Sequence, residues 1–143
     1  MRVELKISSE ISEPYAVIYA SSVTEDVKNA ISFFEKENPY ITVSDNERIT
    51  VLQPEEIFMV RVENDHTVVY CEKKRYKSSK RLYQLEKELG KNFMRISKST
   101  IINLRQIYCV EPSFGMMCIV LKNGSKDCIS RKYLPDFKKY LGL

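Results

Sequence analysis

The chain has no tryptophan, a single histidine and only four glycines in 143 residues. So few glycines leave no G-x-x-x-x-G-K-[ST] loop to cradle phosphates. His66 lies in the turn-like stretch Glu63-Asn64-Asp65-His66, where an imidazole is solvated rather than held by a carboxylate against a Ser or Cys, as a nucleophilic triad requires. The four cysteines, Cys71, Cys109, Cys118 and Cys128, are 38, 9 and 10 positions apart, so no C-x-x-C pair begins a zinc site or a redox motif. Reduced, half-buried thiols in strands are the expectation. Glu55 and Glu56 are adjacent carboxylates, but neighbours entering a strand point to opposite sides and share no proton. The expectation is no catalytic residue, no metal, no cofactor and no small-molecule substrate. No run approaches 18 apolar residues, and the amino terminus carries charges where a secretory signal would be apolar. A cytoplasmic protein without membrane contact is expected.

What is present is a foldable composition with an uneven charge. At 43% hydrophobic and 29% charged residues, the chain lies near the globular average and can bury a core. Residues 1–43 hold four basic and seven acidic residues, a net −3, while residues 44–143 hold nineteen and twelve, a net +7. Between Lys73 and Arg105, eleven Lys and Arg face only Glu86 and Glu88. A local excess of that size attracts polyanions and makes affinity salt-dependent through counterion release, so nucleic acid is the leading partner.

The hydrophobic period divides the chain at the same place. Residues 2–8 alternate with Val3, Leu5 and Ile7 on one face, and Ala16 to Ala20 is a short apolar run, so two strands are expected there. A helix capped at Ser22 or Thr24 should follow to about Glu37, burying Val27, Ile31 and Phe34 and stopping at Asn38-Pro39. Residues 1–43 thus read as a small α/β unit. Beyond it the period is two, with strands expected at 49–52, 57–62, 67–71, 101–104, 108–110, 116–121 and 126–129. Asn123-Gly124 is the strongest hairpin signal, a type I′ turn in which both residues take positive φ. Two short helices are expected, one capped by Ser79 with Leu82, Leu85 and Leu89 inside, the other capped by Ser130 with Leu134, Phe137 and Leu141 inside. The fold class is mainly β with three helices.

Phe93-Met94-Arg95-Ile96-Ser97-Lys98-Ser99-Thr100-Ile101-Ile102-Asn103 resembles the F-x-R-[IV]-[HN]-[RK]-S-[YF]-I-[VI]-N segment of LytTR-type DNA-binding domains of bacterial transcription regulators. The likeness extends upstream to Pro54-Glu55-Glu56-Ile57 and to Leu82-Tyr83-Gln84-Leu85-Glu86. Downstream it takes in Ile107, Asn123-Gly124 and Ile129-Ser130-Arg131-Lys132-Tyr133-Leu134, covering residues 44–143. The resemblance implies an elongated antiparallel β domain that presents loops, rather than a recognition helix, to successive major grooves. It implies base contacts at His66, Lys98 and Arg131. Around them Lys73, Lys74, Arg75, Lys77, Ser78, Ser79, Lys80, Arg81, Arg95, Ser99 and Lys132 are candidates for phosphate contacts that set register without reading sequence. The chain departs from the pattern at Ser97, where many members have His. Its first 43 residues are too few for the phosphoacceptor domain that often precedes this module. A stand-alone, sequence-specific, double-stranded DNA-binding regulator of transcription is expected, acting as a homodimer through residues 1–43, with packing of those residues on the β domain as the alternative. The rival readings are a basic β module that binds RNA, with Tyr70, Tyr76 and Tyr83 as stacking platforms, or one that binds an acidic protein.

Overall fold

A computed structural model describes residues 1–35 and 40–143. The chain divides into two units, Met1–Glu37 and Asn38–Leu143.

In the first unit, helix α1 spans Glu25–Glu35. Thr24 caps it: its carbonyl accepts from Lys28 N at 3.0 Å, and its Oγ1 from Val27 N at 3.4 Å. Glu25 and Asp26 in the first turn complement the helix dipole. The expected end at Asn38-Pro39 lies outside the described residues. The two strands expected at 2–8 and 16–20 are not formed, and residues 1–24 contain neither helix nor strand. Alternation chooses which side chains face the same way, but a strand also needs a neighbour to complete its hydrogen bonds, and within this unit there is none. Val3, Leu5 and Ile7 are all more than 80% exposed, and α1 buries no residue.

The second unit carries ten strands: β1 Ile41–Asp45, β2 Arg48–Leu52, β3 Ile57–Glu63, β4 His66–Cys71, β5 Arg75–Ser78, β6 Phe93–Arg95, β7 Thr100–Asn103, β8 Ile107–Ser113, β9 Met116–Leu121 and β10 Lys126–Cys128. Helix α2, Leu82–Leu89, lies between β5 and β6, and α3, Leu134–Leu141, follows β10. All pairings are antiparallel, in a seven-stranded sheet ordered β2-β1-β5-β4-β3-β7-β6 and a three-stranded sheet ordered β10-β9-β8. A division at residue 43 would cut through β1, whose Ile41 and Val43 are buried in this unit.

Each face of the large sheet has its own core. Val69, Val60 and Ile101 pack with Ile41, Val43, Leu52 and the Leu82-Leu85-Leu89 stripe of α2. Val68, Tyr70 and Ile102 pack with Ile119, Leu121 and Ile129 of the small-sheet side and Phe137 of α3. The central strands therefore read as apolar runs because both their faces are covered. Asn103 is buried but satisfied: its Nδ2 donates to Ile57 O at 2.9 Å and its Oδ1 accepts from Arg105 N at 3.0 Å.

Turn chemistry differs from expectation at several places. Asn123 does not take positive φ; Gly124 does, at 86°, in a three-residue loop closed by Leu121 N to Ser125 O at 2.8 Å. Asn123 instead spends its side chain, Nδ2 donating to Cys71 O and Oδ1 accepting from Ser125 N. Paired positive φ values, the signature of type I′ turns, occur at Asn46-Glu47, Asn64-Asp65 and Phe114-Gly115. Ser79 does not cap α2; Gln84 Oε1 accepts from Arg81 N, and the cap position is Arg81. Ser130 precedes α3 by a full turn and contributes its carbonyl, accepting from Tyr133 N and Leu134 N. The expectation of reduced thiols fails for Cys118 and Cys128, which face each other across β9 and β10 and form a disulfide. Cys71 and Cys109 are free, and burial pushes the Cys71 thiol up to about 11.

Candidate nucleic-acid interface

The three residues singled out as base contacts come from segments far apart in sequence, and backbone hydrogen bonds bring their turns to one end of the β unit. His66 opens β4 opposite Glu63, immediately after the Asn64-Asp65 turn. Beside it, Val62 N donates to Ser99 O at 2.8 Å, which sets the β6–β7 loop against the end of β3. Across that loop Ile96 O accepts from Ser130 N at 2.9 Å, which sets the turn carrying Arg131 against it. His66, Lys98 and Arg131 are all exposed.

Local chemistry shapes each tip. In the β6–β7 loop, Ser97 Oγ accepts from Ser99 N at 3.2 Å and lies 3.3 Å from Ser99 Oγ, while Ile96 N donates to Thr100 O. Ile96 is wholly buried, so the loop is pinned at its base and Lys98 projects from its tip. Ser97 thus folds the loop through a serine-to-backbone bond. The Arg131 turn is anchored in the same way by buried Ile129 before it and Phe137 after it.

Behind the tips lies a polar cluster that the sequence did not announce. Arg61 Nε donates to Glu63 Oε1 at 2.7 Å, and its terminal nitrogens reach Tyr70 Oη at 2.7 Å and Asp127 Oδ2 at 3.6 Å. Tyr70 donates to Glu63, and Thr100 Oγ1 donates to Asp127 Oδ2 at 2.6 Å. The Tyr70 hydrogen bond and the Arg61 guanidinium hold the Glu63 carboxyl below the usual range, while burial raises the Tyr70 phenol. One guanidinium thereby ties β3, β4 and β10 together next to His66. A sequence signal for it is hard to name, because a charged residue in an otherwise apolar strand fits a solvent face equally well.

The candidate phosphate contacts divide between the two ends of the sheet. Ser78 pairs with Thr67, so Ser78 and Ser79 lie near His66, and Ser99 and Lys132 flank Lys98 and Arg131. Lys77 sits one step back, opposite Val68, and is exposed. Lys73, Lys74 and Arg75 occupy the other end, where β4 turns into β5, roughly 15 Å from His66 at about 3.3 Å per residue. Lys74 is bound there to Asp45 at 2.5 Å, which raises the ammonium and lowers the carboxyl, and the Arg75 guanidinium stacks 4.7 Å from the Tyr70 ring centroid. Lys80 is held by Glu88 at 2.9 Å, Arg95 lies 3.7 Å from Glu86, and Arg81 is exposed at the start of α2. Among the described residues no group of three or more His, Cys, Asp or Glu is placed to hold a metal ion, and no helix is long and apolar enough to cross a membrane.

This is an antiparallel β module that offers a row of turns at one end. Residues 47–142 match the LytTr DNA-binding domain family, and the chain belongs to it. Its class is the DNA-binding transcription regulators, which is not an enzyme class. Over the whole chain it is 30% identical to an uncharacterized HTH-type transcriptional regulator of Staphylococcus aureus strain NCTC 8325 and 29% identical to one from the bovine strain RF122 / ET3-1, with 99% of each covered. A LytTr DNA-binding domain from Bacillus cereus superposes with a TM-score of 0.68 at 21% identity, covering 74% of this chain and 99% of that one. The mainly β fold is thus the family's. The helix–turn–helix in the relatives' label has no counterpart in the described β unit, where β6 to β10 separate α2 from α3.

Proposed function

We propose that the chain is a sequence-specific regulator that reads double-stranded DNA through the turns carrying His66, Lys98 and Arg131. The supporting observation is their hydrogen-bonded alignment at one end of the β unit, each with an exposed donor at its tip. Arg131 suits guanine, whose O6 and N7 accept two parallel bonds from a guanidinium; Lys98 suits guanine or a phosphate; His66 donates or accepts at a base edge. Ser78, Ser79, Ser99, Lys77 and Lys132 lie where they would grip flanking phosphates and set register. Lys80 and Arg95 would join only by leaving Glu88 and Glu86, Arg81 is exposed at the start of α2, and Lys73, Lys74 and Arg75 stand off this row. In this reading the turns enter successive major grooves, and the protein acts in the cytoplasm, where a bacterial chromosome lies.

The first unit, Met1–Glu37, serves homodimerisation in this reading. Val3, Leu5, Ile7, Phe33 and Phe34 expose a large apolar set that the unit itself cannot bury. Sedimentation of Leu5→Asp and Phe34→Asp is expected to give monomers from a dimeric parent; an unchanged mass would remove this role.

Selection from a random duplex library at about 150 mM salt tests DNA reading, because that salt suppresses contacts made by phosphates alone. A defined motif, lost in the Lys98→Ala, Arg131→Ala double variant, is expected. Salt-sensitive binding without a motif would shift the reading to RNA or an acidic protein.

A further inference from the structure

The turn between β8 and β9 stands out among the type I′ turns. Asn46 and Asn64 occupy the first central position of two of them, and asparagine tolerates positive φ. The third has Phe114 there, at φ 50°, a conformation that is a genuine outlier for a bulky side chain. Its ring is fully exposed and packs on nothing. Folding gains no burial from this phenylalanine, and an asparagine would suit the backbone better, so the residue carries a conformational cost without a structural return.

Its position supplies the missing purpose. Ile129 N donates to Met117 O on one side of β9, and Ser113 pairs with Met116 on the other. The Phe114-Gly115 tip and the Ser130-Arg131 turn therefore emerge side by side from the same end, with β9 between them. At a strand spacing of about 4.8 Å they are on the order of 10 Å apart. Along a duplex this is roughly three base pairs. The tip has no charge of its own, and nearby Glu111 is neutralised by Lys126 at 2.7 Å, so a phosphate would find neither partner nor repulsion there.

We propose that Phe114 is a fourth DNA contact, an apolar one, packing its ring against sugars and base edges about three base pairs beyond the Arg131 contact. This rests on the reading of the neighbouring turns as DNA-facing, and it extends the recognised site on the Arg131 side. An exposed aromatic suits this task because every base and deoxyribose offers an apolar surface whatever its sequence. The contact adds affinity without naming a base.

The test uses the full chain, the duplex recovered by selection, and the variants Phe114→Asn, which keeps the turn, and Arg131→Ala. Binding is measured on the whole duplex and on one cut just past the Arg131 contact, alongside thermal unfolding. Phe114→Asn is expected to unfold at the same or a higher temperature, to bind the whole duplex roughly 5- to 100-fold more weakly, and to match the parent on the shortened one. Equal binding of parent and Phe114→Asn to the whole duplex would overturn the proposal, as would equal losses on both duplexes. Self-association lost in Phe114→Asn with DNA binding intact would assign the tip to a second copy, and equally overturn it. If Arg131→Ala still weakens the parent's selective binding while Phe114→Asn does not, only the fourth contact falls; if the parent selects no duplex, both readings fall.

Discussion

Replacing Arg61 by methionine removes the cation that joins β3, β4 and β10 while keeping most of the apolar stem that packs beneath it. Two charge-assisted hydrogen bonds disappear, one to Glu63 and one to Tyr70, together with the pairing to Asp127. The Arg61, Glu63 and Asp127 side chains are 29%, 32% and 26% exposed, so water partly replaces what is lost. The cost should lie between the 0–1 kcal/mol of an exposed pair and the 3–5 of a buried one, at about 2 kcal/mol. Glu63→Gln keeps the acceptor and loses the charge, at about 1 kcal/mol, and the two substitutions should couple by about 1 kcal/mol in a double-mutant cycle read by urea denaturation. The carboxyl of Glu63 has its folded pKa lowered, so its stabilisation is complete above the unfolded value near 4.5 and fades as pH falls through the folded one. Glu63→Gln should therefore flatten the acid limb of the stability profile. Additive effects, or a loss under about 0.5 kcal/mol for Arg61→Met, would refute the idea that this cluster holds the strands together.

The placement of charges yields further expectations. Arg131→Ala should weaken specific binding by about 1 to 3 kcal/mol and relax base preference near its contact, leaving random DNA little affected. Lys132→Ala should lower the salt slope by about one, whereas Lys74→Ala, at the opposite end and bound to Asp45, should leave it unchanged; titrations at several salt concentrations decide. Gly124→Ala, forcing a side chain to φ 86°, should cost about 1 kcal/mol by denaturation. The disulfide closes a short loop, ten residues apart, and by chain entropy contributes about 2 to 3 kcal/mol. Reductant should lower the parent's denaturation midpoint toward that of a Cys118→Ala, Cys128→Ala variant and leave the variant unmoved.

How much of this was legible in the sequence depended on whether the signal was local. The strands β3, β4, β7 and β9 have apolar residues enough to declare themselves, and Leu82, Leu85 and Leu89 mark one face of a helix. β5 is Arg-Tyr-Lys-Ser and β6 only Phe-Met-Arg; each exists because a neighbour supplies its ladder, which composition does not disclose. The converse holds at residues 2–8, where good alternation finds no neighbour in its own unit. The motif singles out Lys98 and Arg131, but the adjacency of their turns is made by a bond from Ser130 N to Ile96 O, which no local pattern encodes. Likewise Lys73 to Arg75 follow His66 closely in sequence, yet β4 carries them to the other end. Charge density reveals that a basic surface exists, and strand direction decides where it faces.

The two sheets are fastened at both ends. Ser130 N to Ile96 O and Thr100 Oγ1 to Asp127 close one end, and Asn123 Nδ2 to Cys71 O closes the other. The distance between the Lys98 and Arg131 tips is thus set before any duplex arrives, as the gap between two teeth of a comb is set by its spine. On the proposed reading of both tips as DNA contacts, a duplex whose grooves do not match that gap has to do the bending itself. Base pairs that no side chain touches would then be selected for how easily they twist and roll, so a mutated spacer between the two contacts would weaken binding as surely as a mutated contact.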